Sequence, residues 1–356
     1  MKVGFLSYPM LFQTQGGLQI QILESIAALK QRGIDARLCD PNVEHLSSFD
    51  VVHVFSAING NQRIVEHAKA FGVPVVCSPL IRPHWTRSLG SRGRLIDRLV
   101  GRLTNWEIKS EYRQIESCLQ NSNLLIALGE VERKSITDAF QIPQDRILVV
   151  PNGIPKRFFS ATHDLAHAFL ENKTPFLLCV ATIDIHKNQL GLARATEKSG
   201  LQLVLAGECL PGNREYLAQL TAFPHVKYLG KMDYQDPLLA SLYAAATVFC
   251  LTSHSEVMPL CVLEALAAGT PVVMTKHHCM DLSGTGDLVL EVDPADENAI
   301  AAAANELVTR IPDQLRCREA VKRYTWDAVA AQLEHAYTRV LNTSLLLHAD
   351  ADQNVS

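Results

Sequence analysis

Short apolar runs alternate with longer helix-patterned stretches along nearly the whole chain, and this rhythm limits the fold more than any other feature. Residues 3–7 form a strand-like run that leads through Gly16-Gly17 into a helical stretch at 18–30. Residues 50–55 form another run, a helix follows at 61–71, and 73–78 and 123–128 have the pattern of further strands. Residues 147–150 run into Pro151-Asn152-Gly153, a turn signal. The rhythm restarts at 176–181, and strands at 202–206, 226–229, 247–251, 271–274 and 288–292 follow with helices between them. Repeated βαβ units predict an α/β architecture of parallel sheets with helices on both faces. The restart predicts two doubly wound, Rossmann-like halves joined near 152–160. In such sheets a ligand binds beyond the carboxyl ends of the strands. Two halves facing each other would enclose a cleft with a site on each wall.

The chain has 356 residues, room for two domains of ordinary size, and its 47% hydrophobic content can fill two cores. The pattern places one domain at 1–155 and a second at 156–324. Arg323-Tyr324-Thr325-Trp326-Asp327 opens a last long helix over 325–341, with Thr325 able to cap it. Residues 342–356 are expected to be a disordered tail. A net charge of −4 gives no global attraction to nucleic acid. No apolar run reaches the ~18–20 residues that span a bilayer. Residues 1–7 have the form of a strand and not of a signal peptide, so a cytoplasmic protein is expected. The nine cysteines are scattered without a Cys-x-x-Cys pair, which fits reduced core thiols. His277-His278-Cys279 lacks the partner spacing of a metal site, so no metal is expected.

The chemistry concentrates between two of the strands, in Ser255-Glu256-Val257-Met258-Pro259-Leu260-Cys261-Val262-Leu263-Glu264-Ala265-Leu266-Ala267-Ala268-Gly269-Thr270-Pro271-Val272-Val273. Pro259 suits the first turn of a short helix and Gly269 its end. Met258 has no side-chain oxygen with which to cap that helix. The N–H groups near Leu260 and Cys261 are then open to a diphosphate. Glu256 stands in the loop before the helix. Glu264 lies inside it, about 6 Å along the axis from Leu260 at ~1.5 Å per residue. Both carboxylates could accept hydrogen bonds from sugar hydroxyls. The plainer alternative is a surface Glu and a helix Glu in an ordinary βαβ unit.

This segment resembles the donor-binding signature of glycosyltransferase family 4, the retaining glycosyl transferases group 1 with the GT-B fold. That signature is roughly Glu-Gly-x-Pro-x-x-x-Leu-Glu-Ala-x-Ala-x-Gly-x-Pro-Val-Val. The chain matches it at Glu256, Pro259, Leu263, Glu264, Ala265, Ala267, Gly269, Pro271, Val272 and Val273. It departs at Val257, where the family usually has Gly. A β-branched residue resists φ > 0, so the loop is expected to approach the sugar differently.

The resemblance implies further roles. The segment at 180–189 matches the place where the family carries Gly-Arg and, five residues after the Arg, a Lys; here Lys187 is in register and Thr182 stands where the Arg would be. Lys187 would stabilise the leaving diphosphate, with Glu256 close to the reacting sugar and Glu264 on the ribose. Gly16 and Gly17 would contact the donor phosphate or the acceptor. Lys231 and Met232 would meet the base, and Met258, Leu260 and Cys261 would line the diphosphate. Pro151-Asn152-Gly153 resembles the interdomain hinge word, and the last helix would pack back on the first domain. The first domain would take the acceptor. The His that many members carry after a Pro-Val-Val strand is absent near Leu80, which leaves Arg82, His84 and His53 as acceptor-side candidates, each on its own more readily read as structural or solvent-facing.

A local basic excess runs through Arg82, Arg87, Arg92, Arg94, Arg98, Arg102, Lys109 and Arg113, interleaved with Leu95, Ile96, Leu99, Val100 and Leu103. Two readings stand side by side: a helix packed on the sheet with a solvated basic rim, or a face for anionic membrane on the inner leaflet. The combined expectation is a metal-independent, retaining hexosyltransferase. It would use a nucleotide-diphosphate sugar as co-substrate, with no other cofactor, and a glycan or lipid-linked acceptor in surface polysaccharide or glycolipid biosynthesis. A sugar-nucleotide epimerase or phosphorylase on the same fold, or a non-catalytic nucleotide-sugar-binding protein, are the alternatives.

Overall fold

The computed structural model describes residues 1–13, 16–104, 110–171, 174–310 and 312–353, with side chains to residue 343. The chain divides into two compact units, Met1–Gly153 with Trp326–Ser356, and Ile154–Thr325. Unit 1 runs β1 (Lys2–Leu6), α1 (Gly17–Gln31), β2 (Asp35–Leu38), β3 (Val51–Phe55), α2 (Asn61–Ala70), β4 (Val75–Ser78), α3 (Arg87–Leu103), α4 (Glu111–Asn121), β5 (Leu124–Ala127), α5 (Glu130–Phe140) and β6 (Ile147–Val149). Unit 2 runs α6 (Lys156–Phe159), α7 (Asp164–Leu170), β7 (Phe176–Val180), α8 (Gln189–Thr196), β8 (Gln202–Ala206), α9 (Arg214–Thr221), β9 (Val226–Tyr228), α10 (Pro237–Ala245), β10 (Val248–Leu251), α11 (Leu260–Ala268), β11 (Val272–Thr275), β12 (Val289–Val292), α12 (Glu297–Arg310) and α13 (Gln314–Val321). The last helix, α14 (Trp326–Gln353), belongs to unit 1.

Each unit holds a six-stranded parallel sheet. Their orders are β2-β1-β3-β4-β5-β6 and β12-β11-β10-β7-β8-β9. The inner strands β3, β4, β5, β10 and β11 are buried along their whole length. Helices cover both faces, so these strands carry continuous apolar runs and not an alternating pattern. Strand β2 was not expected from sequence. It is an edge strand of four residues, Asp35-Ala36-Arg37-Leu38, and only Ala36 in it is buried. Both sheets reverse their strand order beside the first strand, between β1 and β3 and between β7 and β10. Loops leaving such a pair diverge to opposite faces and open a crevice at the carboxyl edge.

Helix α14 continues through Gln353, where a disordered tail was expected from residue 342. Residues 342–353 contain neither Gly nor Pro, so nothing local stops the helix; residues 354–356 lie outside the described residues. Within unit 1, Arg32 at the C-cap of α1 pairs with Glu334 at 2.8 Å, and Tyr337 reaches the core. The Tyr337 hydroxyl lies 2.8 Å from Nδ1 of His53, whose Nε2 lies 2.9 Å from the Ser78 hydroxyl. His53 is fully buried, so it is not the solvent-facing acceptor group that its position at a strand end suggested. Burial drives its pKa down to about 3. Among the described residues no helix is long and apolar enough to cross a membrane.

The His53 site makes stability pH-dependent in a definite direction. Its folded pKa lies below its ordinary value of 6.5, so the unfolded chain binds the extra proton. The contribution is complete above pH 6.5 and is lost as pH falls through the window toward 3. Denaturant titrations across that window should show wild-type stability falling. His53→Gln should cost about 1–3 kcal/mol near neutrality and flatten the acid-side slope. An unchanged slope would show that another group sets it.

Candidate functional site

In unit 2 the loops after β7 and β10 flank the point where the strand order reverses, and they carry Lys187 and Glu256. A short 3₁₀ turn, Ile185–Lys187, follows β7, and the Asp184 carboxylate accepts from the His186 N–H at 2.8 Å. Asn188 then takes a left-handed conformation at φ 53° and hands the chain to α8. This turn aims Lys187 Nζ at Glu256 Oε1, 2.6 Å away, across 69 residues of sequence. Burial penalises the ammonium, but Glu256 outweighs that and holds the Lys187 pKa above its ordinary value. The cation therefore stays charged at any physiological pH.

The Glu256 loop is braced from both sides, by the His186 ring and by backbone. His186 Nε2 donates to Ser255 O at 2.9 Å, and His254 N–H donates to His186 O at 2.9 Å. On the other side Glu256 N–H donates to His277 O at 2.8 Å, and Cys279 N–H donates to Val257 O at 2.9 Å. The segment His277-His278-Cys279 thus serves as a clamp for the loop. Val257 is absent from the positive-φ residues, so the loop turns without the freedom that a glycine would give.

Helix α11 starts at Leu260 with Pro259 at its N-cap and no side-chain cap. Its end is set by Gly269 at φ 98°. In the loop after β10 that carries Glu256, the Ser253 hydroxyl is fully buried and has no hydrogen-bond partner among the described residues. Cys261 lies in the electrostatic field of Lys187, Glu256 and Glu264, and burial pushes its thiol pKa up. Glu264 is only 4% exposed. It accepts from the Tyr243 hydroxyl of α10 at 3.0 Å, and burial together with that carboxylate holds the Tyr243 pKa well above its ordinary value. Glu256 and Glu264 therefore sit in unlike surroundings: one is ion-paired in a loop, the other enclosed in a helix.

The other unit 2 candidates lie on the same sheet edge. Thr182 follows β7, and its carbonyl accepts from Gln189 Nε2 at 2.8 Å. Gly207 follows β8, and a Cβ there would come within 1.9 Å of Ala181 O. Only glycine allows the two strand ends to lie that close. Lys231, after β9, pairs with Glu208 at 3.1 Å, and Met232 beside it is half-buried. Met258 and Leu260 are buried. Sequence reasoning did not single out His186, Asp184, Asn188, Ser253 or Tyr243. Asp184-x-His186 has the spacing of a side-chain cap and was the one local signal among them.

In unit 1, Gly16 is the N-cap of α1, again without a side-chain cap, and neither Gly16 nor Gly17 has a neighbour within 4 Å of a notional Cβ. Gln15, which precedes Gly16 in the sequence, lies outside the described residues. Arg82 and His84 are exposed on the loop after β4. Burial and then Arg82 lower the His84 pKa. That loop is tied down by Glu132, a residue sequence reasoning missed. Its carboxylate accepts from Ile81 N–H and Leu128 N–H, each at 2.7 Å, and burial raises its pKa to about 7.

Comparison with known proteins agrees with this fold. Residues 174–310 match the family described as Glycosyl transferases group 1. The MMP alpha-(1->4)-mannosyltransferase of Mycolicibacterium hassiacum is 24% identical over 231 residues, covering 61% of this chain and 54% of that protein. The chain spans only 54% and 63% of the length of the first two curated relatives it matches. Among solved structures, sucrose-phosphate synthase from Thermosynechococcus elongatus superposes with a TM-score of 0.76 at 18% identity, covering 96% of this chain and 100% of that one. Anabaena Alr3699/HepE in complex with UDP-glucose gives 0.68 at 17% identity, covering 95% and 100%. At these identities the structural likeness establishes the fold, which is GT-B.

The Lys187–Glu256 pair is largely shielded from solvent, so each charge depends on the other. Glu256→Gln and Lys187→Met should each lower stability by about 1–3 kcal/mol. The double variant should recover part of that loss. A double-mutant cycle read by denaturant unfolding checks this, and strict additivity would mean the pair is not formed in solution.

Proposed function

Because residues 174–310 match the glycosyl transferases group 1 family and the chain has the GT-B fold, we propose that the protein transfers a sugar from a nucleotide-diphosphate donor to a glycan or lipid-linked acceptor. The observation that carries this reading is the Lys187–Glu256 pair held at the strand reversal, on the carboxyl edge that also bears the uncapped start of α11. Cation and helix start offer a diphosphate one fixed positive charge and a set of open N–H groups. Lys187 has three donor positions. It can hold Glu256 and a phosphate oxygen together, and it stabilises charge on the departing diphosphate. Glu256 faces the sugar, where a carboxylate favours positive charge building at the anomeric carbon. Glu264, steered by Tyr243, takes the ribose hydroxyls.

Lys231 and Met232 border the place for the base, and Thr182, Met258, Leu260 and Cys261 line the diphosphate end. Ser253 supplies a further hydroxyl there. The acceptor is assigned to unit 1, with Gly16, Gly17, Arg82 and His84 as its contacts; His53 is left out because it is enclosed. Retention would follow front-face attack, with the leaving phosphate taking the acceptor proton. Surface polysaccharide or glycolipid biosynthesis is the setting that suits such an acceptor.

Thermal unfolding with UDP, GDP and ADP tests donor binding first. One of them at a hundredfold excess over its Kd should stabilise the protein by about 2.7 kcal/mol. Donor turnover should then fall at least about a hundredfold in Lys187→Ala, whose leaving-group contact is lost. Glu264→Gln should weaken nucleotide binding with a smaller effect on bound-state turnover. The anomeric configuration of the product, read by NMR, tests retention. No stabilisation by any nucleotide would refute the reading. Binding without turnover of any donor would favour a nucleotide-sugar-binding protein, consistent with Thr182 in the arginine position.

A further inference from the structure

Helix α3 packs by the face that its sequence makes least apolar. A helix on a sheet ordinarily buries its leucines. Here the inward positions are Gly90, Gly93, Asp97 and Gly101. A Cβ at Gly90 would lie 2.1 Å from Ala139 O of α5, and one at Gly93 would lie 2.6 Å from the Tyr112 ring of α4. Asp97, the one acid of α3, is buried and accepts from Ser110 Oγ at 2.8 Å. At 3.6 residues per turn this leaves Leu95, Ile96, Leu99 and Leu103 on the opposite side. They are 59%, 55%, 54% and 86% exposed. The sequence-level choice between a leucine face on the sheet and a leucine face outward is thus resolved by the glycines.

The arginines divide in the same way. Arg94 turns inward to the Tyr112 hydroxyl and Ala139 O, each at 2.9 Å, and Arg87 pairs with Asp138. Arg92, Arg98 and Arg102 are exposed along and beside the leucine stripe, with no carboxylate partner among the described residues. An occupant for this surface must be apolar where the leucines are and anionic where the arginines are.

We propose that α3 docks unit 1 on an anionic lipid surface. The leucine stripe enters the acyl boundary, and Arg92, Arg98 and Arg102 lie at the phosphates. Nucleic acid would satisfy the arginines and leave the leucines in water. A second copy related by a two-fold axis would set the same arginines against one another. The proposal rests on the transferase reading only in that a lipid-linked acceptor would then lie at the same surface. Docking itself is read without turnover.

Flotation of the full chain with vesicles of phosphatidylcholine alone, and of phosphatidylcholine mixed equally with phosphatidylglycerol, tests it. Binding is expected to the anionic vesicles and to weaken in high salt. Arg98→Gln and Arg102→Gln should each reduce partitioning about fivefold. Leu95→Ser with Leu99→Ser should reduce it at least about tenfold. Melting temperature and the nucleotide-induced shift should stay at wild-type values in all of them, which separates lost docking from misfolding. Equal binding to neutral vesicles, no flotation, or a leucine variant that floats like wild type would overturn the proposal. So would concentration-dependent dimerisation abolished in the leucine variant, since a second copy would then cover the stripe. A failure of donor turnover with flotation intact would refute the transferase reading and leave docking standing.

Discussion

The ion pair between Lys187 and Glu256 ties together the two loops on which the unit 2 site depends. Both charges are mostly removed from water, and such a pair persists only where hydrogen bonds hold its geometry. That support is visible. His186 links the β7 loop to Ser255 and His254, and the backbone of His277 and Cys279 holds Glu256 and Val257. The strand order makes this possible, because β7 and β10 are neighbours although 69 residues separate Lys187 from Glu256. A cation held in this way is already desolvated and aimed before a ligand arrives. That preorganisation is what electrostatic stabilisation of a leaving group requires.

Much of the fold was legible because parallel strands covered on both faces must be apolar throughout. Val-Val-His-Val-Phe and Val-Phe-Cys-Leu show this directly. Strand β2 lacked that signature because it is an edge strand with charged residues. His53 was misplaced for a related reason. A polar residue inside an apolar run can look like a strand end, and only the packing of α14 supplies the Tyr337 hydroxyl that satisfies it. The glycosyl transferase signature was legible as a contiguous word. The unlike surroundings of its two glutamates were not, because Tyr243 and Lys187 come from other parts of the chain.

Glycine accounts for what periodicity left open in α3. Hydrophobic spacing alone assigns Leu95, Leu99 and Leu103 to the interior. Gly90 and Gly93 instead let α5 and α4 approach the helix so closely that no side chain fits between, and Gly101 is buried on the same face. The same device brings the ends of β7 and β8 together at Gly207. A glycine stripe at helical spacing opposite a leucine stripe is therefore a sign to be weighed before the leucines are given to the core.

The two departures from the family word differ in kind. Val257 changes how the loop is held: it keeps ordinary backbone geometry, and the 277–279 segment takes over the support that a flexible glycine would otherwise leave to the ligand. The loop shape is thus set by the backbone hydrogen bonds of the protein itself. Thr182 changes the charge. Lys187 is a point charge and cannot reproduce the two parallel hydrogen bonds of a guanidinium. Its neighbour Glu256 also claims part of its field. In the proposed donor complex, stabilisation of the diphosphate would then fall more heavily on the open N–H groups of α11 and on Ser253. These neutral donors act by fixed direction and close contact, so their effect depends on how well the helix start is positioned.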